Sequence, residues 1–140
     1  MWNKIKIIGF FGFFGAISRS IFYELLQNSM ESHIIVFLIN ILGSFLLGFG
    51  LEYGKTSKTP FYSQNYKEIL SGFVGSFTTF AMLEYNLYEI SDMHLNLLPI
   101  FWIILEISLG ITFFKFGLIL AEFRNVSPFT LKEEEKVATN

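Results

Sequence analysis

Four stretches of this chain are long and apolar enough to cross a lipid bilayer, and this restricts its fold more than any other feature. A spanning helix needs about 20 mostly apolar residues, and residues 5–26, 34–53, 69–90 and 97–121 each qualify. Hydrocarbon offers no water to the backbone, so spanning segments must satisfy their own N–H and C=O groups as helices or closed barrels. The expected fold is therefore all-α, an integral membrane four-helix subunit. Charged residues are only 16% of the chain, against roughly 25% in soluble domains. Lys4 and Lys6 resemble the basic start of a cleaved signal. However, the apolar run that follows is too long and no small-x-small site ends it, so the first stretch is expected to be a true span.

The same numbers exclude several function classes. A net charge of −2 offers no basic face for nucleic acid. The chain has no cysteine, which removes disulfides, thiolate metal sites and thiol nucleophiles. His33 and His94 fall in short polar connections and read as interfacial residues. No P-loop, dinucleotide fingerprint or nucleophile–histidine–carboxylate set is present, so an enzyme is not expected. Residues 1–121 read as one transmembrane domain and residues 122–140 as a polar cytoplasmic tail.

Lysine and arginine placement gives the expected orientation. Lys4 and Lys6 precede the first span. Lys55, Lys58 and Lys67 lie between the second and third, and Arg124, Lys132 and Lys136 follow the fourth. The other two connections carry neither residue type. With four spans these basic segments share one side, which puts both termini in the cytoplasm and implies a single insertion orientation.

Polar residues inside the spans are costly and mark function by default. They are Arg19, Asn40, Ser44, Thr78, Thr79, Glu84, Glu106 and Lys115. Each also has an ordinary structural reading. In "GFFGFFGAISR", Gly9, Gly12 and Gly15 line one face and suit close helix packing. Arg19 can snorkel to a headgroup or pair with helix-end carbonyls. In "NILGSFLLG", Asn40 and Ser44 share a face, flanked by Gly43 and Gly48. The Asn40 amide can donate to an anion, or make an interhelical hydrogen bond worth about 0.6–2 kcal/mol.

The third span carries "GFVGSFTTFAMLEY", residues 72–85. Gly72, Gly75, Ser76, Thr78 and Thr79 all weaken a regular helix. A break here would free backbone carbonyls, which is tolerated at membrane depth only where protein buries them or a cavity receives them. The ordinary alternative is a mild kink, with threonine hydroxyls bonded back to the preceding turn.

Four patterns stand in order: "GxxGAxxR" at 12–19, "NxxGSFLLG" at 40–48, "GxxGxxTTF" at 72–80, and glycines at Gly110 and Gly117. Together they resemble the Fluc/CrcB fluoride channel family over all four spans. The resemblance implies a bacterial inner-membrane, multi-pass channel that lets fluoride leave the cytoplasm passively. It implies a dimer of antiparallel subunits with a broken third helix. A structural sodium ion would be held at the dimer axis by the backbone carbonyls of Gly75 and Thr78. It implies Asn40, Ser44, Thr79 and Phe80 along the fluoride path, the Phe80 ring presenting its positive edge to the anion. Arg19 takes a structural and electrostatic role.

Three positions depart from the family pattern. "TTFAML" puts Leu83 where a second phenylalanine is expected. Alignment on Gly110 and Gly117 puts Glu106 at a serine position of the polar track, and Trp102 near an expected tyrosine. An ionised carboxylate facing the path would repel fluoride. The one-sided charges point to a heterodimer with a related, oppositely oriented subunit. Two other readings stay open. One is a proton-coupled small multidrug-type exporter that uses Glu106. The other is a non-conducting partner subunit of a heterodimeric channel.

Overall fold

The computed structural model describes residues 2–83, Tyr85, Tyr88 and residues 98–126. Four helices order the described chain: α1 Trp2–Leu26, α2 Ser32–Thr56, α3 Pro60–Phe77 and α4 Leu98–Val126. A further helical segment begins at Phe80. Glu84, His94 and the tail beyond 126 lie outside the described residues. The described chain is all-helical, and α1, α2 and residues Pro99–Arg124 of α4 are each long and apolar enough to cross a membrane.

The third apolar stretch differs most from expectation, because α3 is not among the described helices long and apolar enough to cross a membrane. The apolar stretch suggests a start at residue 69, but α3 starts at Pro60. Proline there is favourable, because the first helical position needs no N–H donor and proline fixes φ near the helical value. The turns from Pro60 to Glu68 are polar and escape any reading based on apolar length. They are anchored to their neighbours. Tyr66 packs against Gly54, the Tyr62 hydroxyl donates to the Gly50 carbonyl at 3.2 Å, and Lys4 meets Glu68 at 2.5 Å. Lys4 holds the Glu68 carboxyl below its usual range. Whatever this pair of an exposed lysine and a half-buried glutamate adds is present at neutral pH and fades as pH falls through the lowered folded value.

Glycines set the helix pairings. A Cβ on Gly15 would fall on the Phe73 carbonyl, and one on Gly72 on the Ile8 carbonyl. Lys4 beside Glu68 and Phe22 edge-on to Phe77 extend the same register. Numbers rise together on both helices, so α1 and α3 run parallel. Likewise a Cβ on Gly48 would meet the Phe114 carbonyl, and one on Gly117 the Phe45 carbonyl. Phe37 against Trp102 and Arg124 over Tyr53 complete a parallel α2–α4 pair. Between α2 and α3 the order reverses: Gly43 faces Thr78, Gly50 faces Leu70 and Gly54 faces Tyr66. In lipid, where apolar burial gives helices little reason to associate, such close backbone approach supplies much of the packing force. Gly9 is the exception to the expected stripe, because a methyl group added there would meet no atom within 4 Å.

This topology gathers Lys4, Lys55, Lys67 and Arg124 at one end of the bundle. The core lies near the other end, where Ile35, Ile39 and Phe77 are packed by Phe22, Tyr23, Leu26, Leu42 and Phe73. Phe10, Phe13 and Phe14 on α1, and Ile104, Ile107 and Phe116 on α4, face outward, as suits a lipid or subunit boundary.

The glycine contacts generate a differential expectation. Gly15→Val should destabilise the fold by about 1–3 kcal/mol through overpacking, whereas Gly9→Ala should be nearly silent. Thermal unfolding of the two variants in detergent checks this, and equal melting would contradict the packing described.

Candidate functional site: an amide-bridged break in the third span

The helical path is interrupted at Thr78 and Thr79, between the end of α3 and the helical segment that starts at Phe80. Thr78 leaves the helix with φ −78° and ψ 159°. Its backbone N–H still donates to the Val74 carbonyl at 2.9 Å, and its hydroxyl donates to the same oxygen at 2.9 Å. Thr79 does the opposite job. Its hydroxyl accepts from the Met82 N–H at 3.3 Å, the position an N-cap residue takes at the third residue of a new helix. Back-bonding and interruption, alternatives in the sequence, therefore occur together on adjacent threonines.

Asn40 bridges the gap from α2. Its Oδ1 accepts from the Thr79 N–H at 2.9 Å, and its Nδ2 donates to the Thr79 carbonyl at 3.2 Å. A side-chain amide thus replaces the peptide partners that a continuous helix would supply. Gly43, three residues on and on the same face, makes the approach possible, because a Cβ there would strike the Thr78 methyl.

The diversion has a consequence for the carbonyls. In an unbroken helix the Thr79 N–H would bond the Gly75 carbonyl and the Met82 N–H would bond that of Thr78. Both donors are committed elsewhere, to Asn40 and to the Thr79 hydroxyl. Gly75 is exposed, and no atom lies within 4 Å of the place its Cβ would occupy.

Asn40 has one more partner. Its Nδ2 also donates to Glu106 Oε1 at 2.5 Å. Glu106 is only 9% exposed, and its Oε2 is buried with no hydrogen-bond partner. The parallel α2–α4 register brings these two side chains together, just as it sets Gly110 beside Ser44. The sequence put Asn40 and Glu106 along one fluoride path, but the bond between them was not foreseen. The available signal was the four-residue step on each helix, Asn40 to Ser44 and Glu106 to Gly110, which sets Ser44 beside Gly110 and so Asn40 beside Glu106.

A groove of about 300 Å³ runs past this cluster, lined by Asn40, Ser44, Phe80, Leu83, Glu106 and Gly110 with isoleucines of α4. A second groove of about 280 Å³ has Asn40, Ser44, Thr78, Thr79 and Phe80 in its wall. Phe80, 65% exposed, borders both. The structure therefore brings together Asn40, Ser44, Thr79, Phe80 and Glu106. Ser44 is not a free donor, because its hydroxyl bonds back to the Asn40 carbonyl at 2.9 Å.

The other expected positions offer the groove no polar group. Leu83 is 5% exposed and packs on Val36, so it serves as an apolar wall. Trp102 is edge-on to His33 and Phe37 and is not part of the groove wall. Arg19 lines a separate cavity of about 510 Å³ with Tyr23, Glu24, Thr79 and Met82. Among the described residues, no three His, Cys, Asp or Glu side chains converge as a metal site.

Comparison with known proteins adds the lineage. The model of a family described as CrcB-like protein, Camphor Resistance (CrcB), matches residues 6–118. The chain belongs to this CrcB family. Similar proteins bear the name fluoride-specific ion channel FluC. One from a Nitratiruptor species is 37% identical over 57% of this chain and 62% of its own length. One from Campylobacter hominis is 33% identical over 69% of this chain and 82% of its own. One from Methanocaldococcus jannaschii is 29% identical over 86% and 96%. No solved structure matches the chain. The CrcB match spans both halves of the amide bridge, Asn40 and Thr79, and also Glu106.

The bridge predicts a ranking of stabilities. Asn40→Leu strands the Thr79 N–H and leaves Glu106 Oε1 without its donor, each at about 1–3 kcal/mol. Thr79→Val removes only the cap, at about 1 kcal/mol. Unfolding measurements in detergent should find Asn40→Leu the more damaging by a clear margin, and the reverse order would contradict the bridging role.

Proposed function

We propose that this chain is a subunit of a fluoride channel that lets the ion leave the cytoplasm passively, limiting its toxicity. It is a membrane channel subunit and not an enzyme. The observation that carries this reading is the amide-bridged break beside an exposed phenylalanine, in a chain of the CrcB family. Fluoride is small and strongly hydrated, so it crosses only where desolvation is offset. The groove at Asn40, Ser44, Thr79 and Phe80 combines narrow apolar walls with ring edges and polar groups, the pairing from which selectivity arises. The gradient and membrane potential supply the drive.

The carbonyls of Gly75 and Thr78 suit a structural sodium ion. Both have lost their helical donors, neither carries charge, and Gly75 opens on an uncovered face. Hard oxygen ligands without carboxylates favour a monovalent cation, which would tie the break to a second subunit. The basic end of the bundle supports one orientation, with both termini cytoplasmic in a cell inner membrane. An antiparallel dimer then calls for a related subunit inserted the other way.

Buried, half-partnered Glu106 favours one second reading, a proton-coupled exporter. Glu106→Gln separates the two, because an exporter would lose coupling while a channel would still conduct. A non-conducting partner role predicts flux beside the accompanying subunit that does not change when Phe80 of this chain is replaced.

The direct test loads liposomes with potassium fluoride, adds the complex purified through a tag on this chain, and starts efflux with a potassium ionophore. A fluoride electrode should register fluoride loss, while chloride stays inside. Phe80→Ile should slow the loss about tenfold, the scale of a ring-edge contact. Replacing sodium by an organic cation throughout should slow it too. Fluoride retained at the rate of empty vesicles would refute the reading. A topology reporter fused to either terminus should find both in the cytoplasm, and dual insertion would count against the heterodimer.

A further inference from the structure

We propose that Glu106 is itself a fluoride ligand, acting as a protonated carboxyl whose Oε2–H donates to the anion, so that this pathway opens only when Glu106 holds a proton. The inference rests on the channel reading above. It begins from an accounting of donors at the groove. An asparagine amide has two N–H groups and one acceptor oxygen. Asn40 spends its donors on the Thr79 carbonyl and Glu106 Oε1, and its oxygen on the Thr79 N–H. Ser44 spends its hydroxyl proton on the Asn40 carbonyl. Neither side chain has a hydrogen left for an anion in this arrangement.

Glu106 is the remaining polar group of the groove wall, more than nine-tenths buried, with Oε2 unpartnered. Bound through Oε1 to Asn40, it passes the donor role one side chain further into the groove. A proton on Oε2 makes that oxygen a donor, and its loss turns the same oxygen into a like charge that bars fluoride. The step is a hydrogen bond formed and broken; the proton stays on the carboxyl.

Among the described residues, the surroundings supply no other way to neutralise the group. From α2 it meets Asn40 and Ser44, which do not titrate. From the segment after the break it faces Phe80 and Leu83, and along α4 it has isoleucines and Gly110. Lys115 is exposed farther along α4. Arg19 lines the other cavity, beyond Thr79. His33 lies against Trp102 and the exposed Glu31. Among the described residues, no cation lines the groove.

The test measures ionophore-driven fluoride efflux from liposomes between about pH 5.5 and 8, corrected for empty vesicles, for the native complex, Glu106→Gln and Glu106→Ser. Native flux should rise with acidity, approaching about tenfold per pH unit on the alkaline side, as a single-proton requirement dictates. Both variants should conduct with a flat profile. The infrared band of a protonated carboxylic acid should follow the native flux profile and vanish in Glu106→Gln. A native flux that ignores pH, variants as steep as the native chain, or no acid band across the range would each overturn the proposal while leaving the channel reading intact. Absence of fluoride flux from every form at every pH would instead defeat the channel reading, and this inference with it.

Discussion

The organisation of the membrane interior depends on one reciprocal pair of hydrogen bonds, between the Asn40 side-chain amide and the peptide groups of Thr79. An open peptide in hydrocarbon would cost several kcal/mol. The chain interrupts its third span nonetheless, because asparagine presents a donor and an acceptor in nearly peptide geometry. Aspartate could only accept, and leucine of similar size could do neither. The break is thus exchanged for an interhelical bond, and α2 becomes part of the hydrogen-bonding system of the span it crosses.

Close approach makes that exchange possible, and the glycines provide it. The Thr78 methyl sits where a Cβ of Gly43 would be, and carbonyls of α1 and α2 sit where those of Gly72 and Gly117 would be. These contacts lock α1 to α3 and α2 to α4 in parallel register. Register then determines chemistry. Sliding α4 by one turn against α2 would take Glu106 away from Asn40 and leave each with a buried unpaired group. Glycine packing and polar pairing therefore select the same alignment, the agreement between levels that distinguishes one native arrangement from its neighbours.

Much of this was legible before any coordinates. Apolar runs marked α1, α2 and α4 as helices able to cross a membrane, and the crowding of glycine, serine and threonine before Phe80 marked where α3 would end. The donor role expected of Asn40 was legible only in half. The residue type showed its hydrogen-bonding capacity, but not that Thr79 and Glu106 would consume it, because the partners lie 39 and 66 residues away. The polar turns from Pro60 to Glu68 were hidden for another reason. Their helicity comes from tertiary contacts through Tyr62, Tyr66 and Glu68, which no apolar periodicity records. Leu83 and Trp102 stood out as departures from a pattern, yet the structure uses them as ordinary packing against Val36, His33 and Phe37.

Glu106 is different in kind, because it cannot be absorbed as packing. A hydrophobic side chain at its place would fill the same volume without a desolvation penalty, and a serine would satisfy itself on the preceding turn, as Ser108 and Thr112 do on the same helix. A glutamate is too long for that and reaches Asn40 instead, leaving one buried oxygen without a partner in the groove wall. Retaining such a group in a low-dielectric wall costs stability with no structural return beyond a bond that Asn40 could form with a smaller acceptor. The residue is therefore best understood through what its free oxygen can do: accept a proton, then offer it to an anion, at a point of the groove where the hydrogens of Asn40 and Ser44 are already committed.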